Sequence, residues 1–196
     1  MALFPMFLKL EGRSTLVVGA GTIATPKIES LLQAGARVRV VAPQASEAVA
    51  DWAKAGRIEL VKKTFDASDL NDAFLVIVAT SSREVNANVF QEARSRKILC
   101  NVVDDPEHCD FYYPSVVRRG KLQLAISTEG QSPALAQKLR LELEEQYGPE
   151  YEQWVEQLGA ERAKLFQSDI NPEVRRRRLH ELAAGKPTAP EVKDAR

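Results

Sequence analysis

The chain of 196 residues carries 27 Lys+Arg against 27 Asp+Glu, so its formal charge is zero and a partner recognised through a global basic excess, such as nucleic acid, is not expected. A hydrophobic fraction of 44% is enough for a real core, and the length allows one large domain or a medium one followed by a small one. The apolar start Met1–Leu8 is too short to span a bilayer and lacks the basic start and long apolar centre of a signal peptide, so it reads as part of the fold, with no membrane partner expected.

Thr15–Val18 is a short apolar run ending in glycine, the first predicted strand. Ala24–Ala34 carries Ile28, Leu31 and Leu32 at helical spacing, and Gly35 stops it. Arg37–Val41 is rich in β-branched residues and reads as a second strand. Ser46 is placed to cap a helix running to about Ala55, and Ile58–Val61 is a third strand. Phe74–Ala79 is continuously apolar, as a strand buried on both faces of a parallel sheet should be. A helix over Arg83–Arg96 and a strand over Ile98–Val103 complete a βαβ alternation, which means an α/β fold around a parallel sheet. Cys100 sits in the last of these runs and is expected to be a buried free thiol. With Cys109 it makes neither a CxxC pair nor a zinc spacing, which suits a reducing cytoplasm.

The pattern changes near Phe111. Ser115–Arg119 and Leu122–Ser127 flank Gly120-Lys121 as a β-hairpin, and Ser132-Pro133 opens a long helix with the stripe Leu135, Leu139, Leu143. From Tyr151 the chain is helical and charged, breaks over Ser168–Pro172, and forms a last helix over Glu173–Ala184. The expected division is a Rossmann domain over 1–113, a dimerisation segment over 114–149, a helical module over 150–184 and a disordered tail over 185–196.

Gly19-Ala20-Gly21-Thr22-Ile23-Ala24 is the G-x-G-x-x-A form of a dinucleotide fingerprint, in the required position between a strand and a helix. Gly19 permits the tight turn, Gly21 lets backbone approach a pyrophosphate, and Ala24 lets helix and strand pack closely. The phosphates would sit at the helix N-terminus, where free N–H groups favour negative charge. At the end of the second strand, where an NAD site usually has Asp or Glu, the chain has Val41-Ala42-Pro43, and no Arg follows at once. That spacing does not choose between NAD and NADP. Asp104 follows Asn101-Val102-Val103 at the C-terminal end of a parallel strand, where ligands bind in open α/β sheets. A carboxylate there can take a proton from a substrate while hydride leaves; Asp104-Asp105-Pro106 is equally a good turn.

Six segments together resemble the precorrin-2 dehydrogenase and sirohaem synthase N-terminal family over about residues 3–150. They are Phe4–Leu8, Val17–Gly21, Gly35–Val38, Cys100–Asp104, Phe111–Ser115 and Ser127–Ala136, in family order and at family spacing. The resemblance implies NAD as cofactor, a homodimer built on a central α+β segment, a small helical C-terminal part, and oxidation of the tetrapyrrole precorrin-2 to sirohydrochlorin. It assigns the aspartate at Asp104 a role in catalysis. Cofactor contacts are expected from Gly19, Gly21, Thr22, Ile23, Ala24, Pro43, Thr80 and Asn101. Against the family pattern, Ala20 replaces a frequent third glycine, Pro26 precedes Lys27 in place of arginine, and Ser81-Ser82 replaces acidic residues.

The implied substrate bears many carboxylates. Ser115, Arg118, Arg119 and Lys121 could meet them, or could equally form a solvated hairpin face. Thr128 aligns near the family's cleft, and a loop hydroxyl bonded to nearby backbone is the plain alternative. His108 and His180 lack ligand partners at metal spacing and read as surface or capping residues, so no metal site is expected. The run Arg175–Arg178 reads as a solvated helix face. The alternatives to a dehydrogenase are a bifunctional enzyme that also inserts ferrous ion into sirohydrochlorin, and a Rossmann nucleotide sensor without turnover.

Overall fold

The computed structural model describes residues 3–185 and 187. Of the expected tail, residue 186 and residues 188–196 lie outside that description. The chain divides between Tyr112 and Tyr113 into two compact units.

The first unit is a five-stranded sheet of β1 (Ser14–Val18), β2 (Arg37–Val41), β3 (Glu59–Val61), β4 (Leu75–Val78) and β5 (Leu99–Val102). All pairs are parallel and the order is β3-β2-β1-β4-β5. Helices α1 (Ala24–Gln33), α2 (Glu47–Lys54) and α3 (Arg83–Ser95) connect the strands. β1 pairs with β2 on one side (Val17 beside Val40) and with β4 on the other (Val17 beside Ile77). The strand order therefore reverses at β1, and the crevice outside the strand ends at that point is where such sheets bind ligands. All four residues of β4 are buried, as its unbroken apolar run requires. Leu16, Val41, Val76, Cys100 and Val102 pack with Leu70 and with Val89 and Ala93 of α3 into one core. Burial pushes the Cys100 thiol up to about 12, so it is the small apolar residue the sequence suggested.

The strand ends are shorter than the apolar runs. Ile98 donates its N–H to Ala93 at the close of α3, which takes it out of the β5 ladder. Two short 3-10 turns add to the predicted elements. A 3-10 turn over Ala67–Leu70 is held by a reciprocal Asp66–Asp69 cap. Asp69 is only 2% exposed; Lys63 Nζ lies 2.8 Å from its Oδ2, and Arg39 Nη2 lies 3.3 Å from its Oδ1 without hydrogen-bond geometry, so that second attraction is ionic. A second 3-10 turn, Pro106–His108, follows β5.

The second unit holds the antiparallel hairpin β6 (Ser115–Arg119) and β7 (Leu122–Ile126), then α4 (Pro133–Gln146), α5 (Glu150–Gln167) and α6 (Pro172–Ala183). Ser132 caps α4 by accepting the Leu135 N–H at 3.3 Å, with Pro133 in the first turn. At the break before α6 the cap is Asn171, which accepts from Glu173 N at 2.8 Å. Arg175 is more than a solvated charge: it stacks 4.4 Å from the Phe166 ring centroid, with Arg162 at 4.5 Å. No helix among the described residues is long and apolar enough to cross a membrane.

Candidate dinucleotide cleft

A cleft of about 550 Å³ opens at the C-terminal ends of the strands, between the loops after β1 and β4. Gly19 has φ +106°, and a Cβ there would run into the Ala79 carbonyl, so the two loops can cross only with glycine at this position. Gly21 differs: its φ is ordinary and a Cβ would meet nothing within 4 Å. Its missing side chain leaves room on the ligand side and relieves nothing within the protein.

The loop is tied by its own backbone. Ala24 N and Thr25 N both donate to Gly21 O at 3.1 Å, and Thr25 Oγ1 adds a third bond to it at 3.0 Å. The N–H groups of Thr22 and Ile23 have no backbone partner among the described residues. Free donors at the start of α1, beside a glycine with no side chain, form a cradle suited to an anion. Pro26 is the third residue of α1, in its first turn, so it replaces the family's arginine without breaking the helix. Ala20 is buried and its carbonyl accepts Ser46 N at 2.8 Å. Ser46 stands at the N-cap of α2 as expected, yet its side chain makes no cap bond; its Oγ lies 3.3 Å from Thr25 Oγ1 instead.

The structure brings Gly19, Gly21, Thr22, Ile23, Pro43, Thr80 and Asp104 into one cleft wall. Thr80 is fixed by Asn86, to whose Oδ1 it donates at 2.6 Å, while Asn86 Nδ2 donates back to Thr80 O at 3.3 Å. Ala24 lies behind the loop, fully buried, which is the close-packing role read from the fingerprint. Asn101 is not in the cleft lining. It is buried in β5, and its amide donates to Phe111 O at 2.7 Å and to Cys109 Sγ at 3.3 Å. Those bonds, with Cys109 Sγ donating to Val102 O at 3.1 Å and Cys100 N to Asp110 Oδ2 at 2.9 Å, clip the segment after β5 back onto the strand. Asn101 thus forms part of a clip beside the Asp104 turn.

Asp104 itself has φ +61°, a left-handed conformation that aspartate tolerates better than most residues. It is exposed on the cleft rim and is the one ionisable residue of the lining. Lys27 of α1 feels this carboxylate, a neighbour that sequence reasoning did not pair with it. Burial lowers the Lys27 pKa, and the Asp104 charge works in the opposite direction. Asp105, the next residue, lies 2.8 Å from His108 Nδ1, and the His108 ring meets Phe90 edge-on at 4.7 Å. His108 is thus tied by its ring to the turn and to Phe90.

The remaining expected site residues lie in the second unit. Arg119 donates through Nε to Tyr147 O at 2.8 Å, through Nη2 to Glu144 O at 3.0 Å and through Nη1 to Arg118 O at 2.9 Å. Its guanidinium closes the C-terminus of α4, where carbonyls lack partners. Thr128 Oγ1 accepts Ser132 N at 3.1 Å, the loop-hydroxyl role. Arg118 and Lys121 are exposed with no ion pair among the described residues, and Ser115 is half-buried at the start of β6.

An NAD(P)-binding family model matches residues 6–115, and the model of the sirohaem biosynthesis protein central region matches residues 119–146. The chain is 40% identical over 185 residues to siroheme synthase 1 of Serratia proteamaculans, covering 94% of this chain and 39% of that protein. It is 46% identical over 144 residues to siroheme synthase 1 of Pectobacterium atrosepticum, covering 74% and 30%. The chain therefore spans about a third of the length of the curated relatives it matches. Among solved structures it resembles SirC, a precorrin-2 dehydrogenase, with a TM-score of 0.79 and 32% identity over 92% of this chain and 89% of that one. The crossing at Gly19, the open cradle at Gly21 and these matches lead to one conclusion: the chain belongs to the precorrin-2 dehydrogenase and sirohaem synthase family.

Proposed function

We propose that the chain is an NAD-dependent dehydrogenase that oxidises precorrin-2 to sirohydrochlorin, with Asp104 as the proton acceptor. The observation that carries this is the placement of Asp104. It is the one ionisable residue lining the dinucleotide cleft, on a left-handed turn at the end of β5. NAD+, when bound, supplies the hydride acceptor. The chain's own residues do the rest. Gly21 leaves space for the pyrophosphate, and the N–H groups of Thr22 and Ile23, without backbone partners among the described residues, are the donors available to it. The clip of Asn101, Cys109 and Asp110 holds the turn so that the Asp104 carboxylate stays on the rim. As the macrocycle gives up a hydride, that carboxylate receives a proton, and the substrate leaves oxidised by two electrons.

Arg118 and Lys121 are the hairpin cations available to the substrate's carboxylates, while Arg119 and Thr128 support the backbone. The protein acts as a homodimer, a reading supported by α4, whose Leu135 and Leu141 are 46% and 50% exposed, within the matched central region. Two free thiols suit a reducing cytoplasm. Purified chain mixed with precorrin-2 and NAD+ should develop sirohydrochlorin absorbance with equimolar NADH. Tight NAD+ binding without turnover would replace the enzyme by a nucleotide sensor.

A further inference from the structure

The turn at the end of β5 fixes the backbone of Asp104 and leaves its carboxylate loose. Asn101, Cys109 and Asp110 clip the segment through their bonds, whereas no hydrogen bond or contact ion pair holds the Asp104 side chain among the described residues. An exposed aspartate without such a partner samples several rotamers, and a proton acceptor must keep one of them within reach of its proton. Helix α1 supplies a partner of another kind. Ala24, Ile28 and Leu31 form its buried face. Thr25 leaves one flank and meets Ser46, at the start of α2, at 3.3 Å, so that flank faces the β2 side of the sheet. Two residues along a helix amount to about 200° of rotation, so Lys27 leaves the opposite flank, the side on which β4 and β5 lie. Lys27 is half-buried and outside the cleft lining. The two charges still act on each other: burial lowers the Lys27 pKa, and the Asp104 carboxylate works to raise it. A partly buried cation is screened by salt less than a surface one, so its field persists at the carboxylate.

We infer that Lys27 is a positioning residue for the proposed reaction: from the flank of α1, its ammonium restrains the Asp104 carboxylate to one orientation at the cleft rim. The inference rests on the reading of Asp104 as the proton acceptor and adds what orients that acceptor. Because Lys27 does not line the cleft, it acts through Asp104 and not on the substrate. A reacting group needs such support from behind, since a small loss of alignment is costly in rate.

Lys27→Met keeps the apolar stem of the side chain and removes its charge. In assays of the full chain with precorrin-2 and NAD+, kcat should fall by roughly 10- to 100-fold, the scale of a misplaced reacting group. KM for precorrin-2, and NAD+ affinity by calorimetry, should stay as in the parent. Lys27→Arg restores the charge and should recover most of the lost kcat, which a packing role alone does not predict. Lys27→Met in an Asp104→Asn background should cost nothing further, because a residue that acts through that carboxylate has no effect once it is gone. Lys27→Gln carries the same tests if Lys27→Met does not fold by circular dichroism. A raised KM with unchanged kcat would make Lys27 a ligand of the substrate's carboxylates and overturn the inference. Losses that multiply in the double variant would overturn it as well. Full activity of Lys27→Met beside an impaired Asp104→Asn removes this inference and leaves the proton acceptor in place, whereas a fully active Asp104→Asn removes both.

Discussion

The two units of the chain reach stability by different routes. The first buries a continuous sheet: β1, β2, β4 and β5 with the helix faces against them supply most of the apolar core. In the second, Val117 and Ala136 are the buried hydrophobic residues among those described, and neither α5 nor α6 contributes one. Burial is what offsets chain entropy, and the second unit has little of its own. On the homodimer proposed above, the first unit holds the proposed chemistry and the second is a platform that association completes.

The largest test of that contrast is catalytic. Asp104→Asn keeps the left-handed turn, which asparagine tolerates, while removing the proton acceptor. Sirohydrochlorin formation should fall by about 10²–10⁴ with NAD+ binding and assembly retained. Asp104→Ala should add a loss of stability of about 1 kcal/mol from the positive φ, visible as a lower Tm. On the platform, Arg118→Ala or Lys121→Ala should mainly raise KM, by roughly tenfold, the scale of one charge-assisted hydrogen bond. If the hairpin variants lower kcat as far as Asp104→Asn does, the division of labour between units is wrong.

Within the first unit the two glycines of the fingerprint separate fold from binding. Gly19→Ala meets both the positive φ and the Ala79 carbonyl and should cost at least about 2 kcal/mol, measured by denaturant unfolding. Gly21→Asp meets open space inside the protein and should melt like the parent, yet lose NAD+ binding by calorimetry because its carboxylate faces the pyrophosphate. Matching losses of stability in the two variants would contradict the open cradle.

Association is the next step down. Leu141→Glu charges an exposed apolar position on α4 and should shift the species seen by light scattering toward the mass of one 21.8 kDa chain. A parent protein that is already monomeric at micromolar concentration would leave the sparse second unit without its proposed support.

The same contrast explains what could be read from the sequence. The parallel sheet was legible because local chemistry and burial agree there: β-branched runs, a glycine crossing at Gly19, and a stop at Gly35 with φ +75°. The dinucleotide loop was legible for the same reason. The jobs of Asn101 and Arg119 were hidden. Both residues look like ligand groups, and both bond carbonyls that only tertiary approach delivers, Phe111 for one, Glu144 and Tyr147 for the other. Lys27 and Asp104 are neighbours for the same kind of reason, since the sheet order brings together segments far apart in the chain. The Asp66–Asp69 cap was local in sequence but short, and nothing periodic announced it.

The smallest expected effect concerns two serines that sequence chemistry treats alike. Each precedes a helix at the N-cap. Ser132 accepts the Leu135 N–H at 3.3 Å at the start of α4, in the sparse unit. Ser46, at the start of α2 in the well-packed unit, makes no cap bond and instead faces Thr25 at 3.3 Å. A working cap is worth about 1 kcal/mol, because the helix start otherwise leaves a donor unpaired. Ser132→Ala should therefore lower stability by about that amount. Its consequence should be seen first in the second unit, as faster amide exchange in the opening turn of α4, where little burial restrains fraying. Ser46→Ala loses only a hydroxyl contact and should change stability by less than about 0.5 kcal/mol. Its N–H still donates to Ala20 O at 2.8 Å, so the backbone tie to the glycine loop survives. Equal effects at the two positions would mean that the hydroxyl pair of Ser46 and Thr25 stabilises the loop as much as a helix cap does. The packed core would then no longer account alone for the rigidity of the cleft.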